Sequence, residues 1–144
     1  MSSPWLTLSC LVLLPTAGQA QRTDTATGTL SMAAQRAKTA WLAHDAPGLV
    51  GQSSSLVLQI PGAEPSSPLG RAQAIELLVR YLRPTEERSL DITAIREVEP
   101  GKGFVELTRR YVVTGTSEQR HETLYLGFKR EANEWRLAEL RNAP

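Results

Sequence analysis

The strongest constraint on the fold lies in the C-terminal part of the chain. From Ser89 onward, apolar side chains recur at every second position in four successive runs. Leu90, Ile92 and Ala94 alternate with Asp91 and Thr93. Val105, Leu107, Tyr111 and Val113 share a parity within Phe104 to Gly115. Leu124, Leu126 and Phe128 do so within Arg120 to Arg130, and Trp135, Leu137 and Leu140 mark Glu134 to Arg141. A period of two is the signature of strands with one buried face. The runs are separated only by turn sequences, Pro100-Gly101-Lys102-Gly103, Gly115-Thr116-Ser117 and Glu131-Ala132-Asn133. Short turns join antiparallel neighbours, so the four runs predict a meander of consecutive hairpins.

A sheet with one apolar face needs cover, and the preceding segment supplies it. Leu30 to His44 has Ala33, Ala37, Ala40, Trp41 and His44 at helical spacing. Asp45-Ala46-Pro47-Gly48 stops that helix, and Leu49 and Val50 are placed to pack a short turn back on it. Ser55 to Ile60 reads as a short strand, and residues 61–68 as a stiff loop with three prolines. Ser67-Pro68 predicts the start of a second helix. That helix runs to about Arg83 with Ala74, Ile75, Leu78, Tyr81 and Leu82 inward, and Pro84 ends it. Arg80 to Arg88 carries mixed charges and reads as a solvated loop.

Length and composition narrow the function classes. The 144 residues fit one domain, and 41% apolar with 22% charged residues is ordinary for a globular chain. A formal net charge of +1 with no basic run argues against nucleic acid as a partner. Residues 1–20 hold no charged side chain, and an apolar run from Trp5 to Leu14 precedes Ala17-Gly18-Gln19-Ala20. That layout predicts a signal peptide over 1–20, a flexible tether over 21–29 and the folded domain over 30–144. The expected location is therefore periplasmic or extracellular in a bacterium, with no membrane association after cleavage. The leader has no Lys or Arg, which departs from the usual pattern. Cys10, the one cysteine, lies within the apolar run and is followed by more of it, which argues against lipid attachment. Cleavage after Ala20 would leave a chain with no thiol for disulfides, catalysis or metal ligation.

The chain resembles the NTF2-like superfamily, and more narrowly the small exported bacterial proteins of the DUF4783 type. The resemblance rests on Ala40-Trp41-Leu42-Ala43-His44-Asp45 with Leu49, on Leu56-Val57-Leu58-Gln59-Ile60-Pro61-Gly62, and on Arg71-Ala72-Gln73-Ala74-Ile75-Glu76-Leu77-Leu78. It continues through Tyr125-Leu126-Gly127-Phe128-Lys129 and the segment from Trp135 to Arg141. It implies an α+β cone, a curved antiparallel sheet packed over two or three N-terminal helices. Enzymes of the superfamily carry an Asp/His or Asp/Tyr constellation inside the cone, and none can be placed here residue by residue. The narrower family implies no activity. The superfamily resemblance also implies a homodimer through the open sheet face, where Phe104, Val112 and Tyr125 lie opposite the core-facing set.

Five residues are candidates for a ligand pocket in the cone: Trp41, His44, Tyr81, Arg109 and Tyr111. Arg109 shares the inward parity of its strand, where it would bind a carboxylate ligand. A bulge that swaps parity, or a rim position with a wet head, would explain it equally. His44 reads as a general base at the mouth of the cone, or as a residue that caps the helix end or packs beside Trp41. His121 reads as an edge residue, and two distant histidines make a poor metal site, so no metal or cofactor is expected. Two functions remain. One is a non-catalytic module binding a small apolar or carboxylate ligand, or another protein. The other is a small pocket enzyme of isomerase or hydrolase type, with His44 or a buried carboxylate as base, Tyr111 as donor, and two or more of His44, Arg109, Tyr111 and Glu106 converging on a cavity.

Overall fold

The computed structural model describes the backbone of residues 21–143 and the side-chain surroundings of residues 30–143. The expected leader, Cys10 included, lies outside the described residues. Helix α1 (Gln21–Leu42) begins well before Leu30, so the expected tether at 21–29 is helical. That stretch has no proline and a single glycine, so nothing in it breaks a helix. The inward face of α1 is mostly alanine (Ala33, Ala34, Ala37, Ala40), flanked by Leu30 and Trp41. Small residues let the helix lie close to the sheet. A Cβ at Gly103 would fall 2.6 Å from the end of the Leu30 side chain, so a larger residue there would require that leucine to shift.

Helix α1 ends in a paired cap. The Asp45 N–H donates to the Ala40 carbonyl (2.8 Å) and the His44 N–H to the Trp41 carbonyl (2.9 Å). His44 occupies the left-handed position with φ +52°. The Asp45 carboxylate then accepts from the Gly48 N–H at 3.0 Å and starts α2 (Ala46–Val50). The residues expected only to stop one helix therefore also start another, and Leu49 and Val50 are buried against the core.

Strand β1 (Ser55–Gln59) follows, then the loop, then the two-residue β2 (Leu69–Gly70) and α3 (Arg71–Leu82). The expected start of α3 at Ser67-Pro68 is corrected. Gly70 is the N-cap, without a side-chain bond. Residues 69 and 70 instead pair with Leu56 and Ser55. Ser66, one residue earlier, clasps the loop to β1: its N–H donates to the Leu58 carbonyl (2.8 Å) and its hydroxyl accepts from the Leu58 N–H (3.0 Å).

The C-terminal half is the expected meander: β3 (Thr85–Glu99), β4 (Lys102–Val113), β5 (Gln119–Glu131) and β6 (Glu134–Ala143). The sheet has six strands in the order β2-β1-β6-β5-β4-β3, and β1 runs parallel to β6. It is therefore mixed rather than purely antiparallel. Strand β3 begins at Thr85, so Glu86 to Arg88 belong to the sheet and not to a loop. Irregular pairings at Glu87/Ser89, Ile92/Ala94 and Gly127/Phe128 bend the strands. The concave face lies over α1 and α3, and the core fills the space between. On the convex face, Phe104 is half-buried and Tyr125 exposed. Val112, expected beside them, is buried at 5% exposure. No helix among the described residues is long and apolar enough to cross a membrane.

Candidate functional site

Four strands bring polar residues to one end of the concave face. Register aligns Glu87 with Tyr111, Arg109 with Glu122, and Leu124 with Asn142. Directly opposed residues in antiparallel strands project to the same side. Their side chains therefore meet beneath Trp41 from α1 and Tyr81 from α3.

Arg109 is the centre, with no exposed surface. Its inward parity is real, so neither a parity swap nor a wet rim position applies. Its Nε donates to both Glu87 oxygens (3.0 and 2.9 Å), and Nη2 donates to Oε1 of the same carboxylate. Nη1 donates to the Tyr81 hydroxyl (3.0 Å) and to Glu122 Oε2 (2.9 Å). The guanidinium carbon lies 3.8 Å from the Tyr111 ring centroid and 5.1 Å from that of Trp41. Such stacking adds to the ion pairs where water is excluded. Glu122 receives three further donors: the hydroxyls of Tyr81 (2.8 Å) and Tyr111 (2.6 Å), and the Asn142 amide (3.0 Å). Asn142 also donates to the Tyr81 hydroxyl.

The electrostatics follow from this packing. Burial opposes the Arg109 charge, but the hydrogen-bonded Glu87 carboxylate, with Tyr81 and Glu122, outweighs it and raises the pKa. Burial raises the Tyr81 pKa; Arg109 opposes that shift and Glu122 reinforces it. Tyr111 is raised by burial and then by its bond to Glu122. Both phenols therefore stay protonated as donors.

Of the five candidate pocket residues, the fold gathers Trp41, Tyr81, Arg109 and Tyr111. It leaves out His44, which caps α1 through its backbone. Glu106 lies on the outer face, bonded to Thr93. The gathered side chains pack on one another. A groove of about 350 Å³ opens elsewhere, between α1, α2 and the β5–β6 turn. A smaller apolar cleft of about 160 Å³ between β1 and α3 reaches Tyr81 alone of the five. No cluster of three or more metal-ligating side chains occurs among the described residues. The interior of the cone thus holds an internal charge network at this end.

Sequence reasoning missed Glu87, Glu122 and Asn142. Glu122 was legible, since it lies two residues before Leu124 on the inward parity. Asn142 likewise follows Leu140 by two. Glu87 was hidden by the irregular pairing at Arg88, which shifts the parity counted back from Leu90.

The architecture defines an NTF2-like fold. A ketosteroid isomerase-like protein from Erwinia carotovora atroseptica superposes with a TM-score of 0.70 at 16% identity, covering 82% of this chain and 97% of that one. A member of the NTF2-like family from Streptomyces avermitilis gives 0.65 at 16% identity, covering 84% and 97%. The narrower likeness is also present. A DUF4783 family protein from Bacteroides ovatus gives 0.61 at 13% identity, covering 74% and 90%. At these identities the likeness concerns the fold. No protein-family profile and no curated protein matches the sequence.

Proposed function

We infer that this chain is a non-catalytic binding domain that works outside the cytoplasm. The observation that carries the non-catalytic reading is the saturation of the polar interior. Arg109, Glu87, Glu122, Tyr81 and Tyr111 spend their hydrogen bonds on one another, and among the described residues the cleft between β1 and α3 reaches only Tyr81 of this set. A catalytic acid or base needs a reacting atom within hydrogen-bond reach. The open groove beside α1 and α2 is lined by none of these residues. Export rests on the uncharged leader at 1–20 alone.

Two copies of the chain pair through the convex face in this reading. Phe104 and Tyr125 flank a shallow hollow there, with Val98 half exposed at 52%. Exposed aromatic and branched side chains on one face are the composition of an interface. Light scattering at micromolar concentration should give twice the chain mass, and Tyr125→Glu should give the monomer. A monomer in both cases removes the pairing.

The non-catalytic reading is tested by turnover. The purified protein should not isomerise a ketosteroid or dehydrate a small hydroxylated substrate above background. Turnover that disappears in Tyr111→Phe would falsify it.

A further inference from the structure

We propose that the groove between α1, α2 and the β5–β6 turn binds a small organic carboxylate carrying an apolar body, such as an aryl acid. The proposal rests on the binding reading above and adds the ligand class. The groove measures about 350 Å³, within the range of small-ligand sites. Its floor is apolar, from Ala37, Leu49, Phe128 and Trp135. Its lining includes the acceptor-bearing Gln52, Asn133 and Glu134, yet two donors on it are unpaired. The Trp135 indole N–H and the Arg136 Nε–H are both buried and have no acceptor among the described residues. Both residues line the groove. A buried donor without an acceptor is destabilising, so an oxygen-bearing ligand gains by supplying one.

Charge completes the pattern. Arg36 lines the same space from α1, is exposed, and makes no ion pair among the described residues. Arg136 is partly compensated: Nη1 lies 3.2 Å from Glu131 and Nη2 4.0 Å from Glu134. Those carboxylates are 51% and 66% exposed and so strongly screened, and neither occupies Nε. Arg36, Arg136 and Glu134 leave one net positive charge on the lining. A guanidinium with nearby N–H donors suits a carboxylate, and the apolar floor suits the ring or branched chain attached to it.

The test uses the full chain with phenylacetate and its neutral counterpart phenylacetamide, followed by NMR of the tryptophan indole N–H groups. Trp135→Phe assigns the Trp135 signal. Phenylacetate should move that signal saturably. Phenylacetamide should bind about tenfold more weakly, as should phenylacetate to Arg36→Gln, reflecting one charge-assisted contact. Raised salt should weaken the acid and leave the amide unchanged. Equal binding of acid and amide, an unchanged affinity in Arg36→Gln, or no movement of the Trp135 signal overturns the proposal. Since Arg36 is exposed, its variant should fold. An acid that binds at Trp135 and is chemically altered overturns the non-catalytic reading and leaves the ligand class standing.

Discussion

Arg109 sits wholly out of water between the carboxylates of Glu87 and Glu122. Removing three charges from solvent is costly, and it is tolerated because almost every oxygen and N–H finds a partner. Arg109→Met should therefore destabilise by about 3–5 kcal/mol, because it strands two buried carboxylates. Adding Glu87→Leu and Glu122→Gln should restore most of that loss, read as the urea midpoint. Failure of the triple variant to recover would show that the ion pairs contribute net stability. The phenols add a pH dependence. Their folded pKa values lie above the ordinary 10.0, so the native state holds these protons more tightly than the unfolded chain. Their contribution is complete below pH 10 and is lost as pH rises past it. The urea midpoint should fall above pH 10, and less steeply in Tyr81→Phe. The inward parity of Arg109 was legible in its strand. Its partners were not all legible, because pairing between strands of opposite direction depends on register, and register depends on irregularities that composition does not announce.

At the scale of elements, the departures from expectation come from segments where local signals compete. Ser67-Pro68 is a good helix start by propensity, yet Leu69 and Gly70 complete the sheet edge and defer α3 to Arg71. Tertiary pairing overrides a weak local preference. Ser67→Ala should change stability by less than about 0.5 kcal/mol, whereas Ser66→Ala should cost about 1 kcal/mol by releasing the Leu58 N–H. Chemical denaturation of the two variants separates the sites. His44 shows the reverse case, where the capping reading made from sequence matches the geometry. Its φ of +52° suits glycine better. His44→Gly should accordingly retain or raise stability, by up to about 1 kcal/mol. The hairpins were legible because each is local: a period of two broken by a turn sequence leaves one way to pair.

The whole molecule depends on one pairing that no local pattern reveals. Strand β1 hydrogen-bonds in parallel with β6, Val57 aligning with Glu139 and Leu58 with Leu140. This contact attaches β1 and β2, and through the loop α3, to the edge of the meander. Periodicity identified β1 as a strand but carried no information about its partner or direction. That contact also imposes an order in time. The first strand waits through about eighty residues of chain before its partner exists, and distant closures of this kind slow folding. A chain cut before Glu134 should lack cooperative thermal unfolding even though all three helices and three of the four meander strands are intact. A nascent copy emerging from a ribosome would then have the β6-facing edge of β1 open until β6 is released, with only the short β2 on its other side, which is the interval in which a chaperone has something to hold.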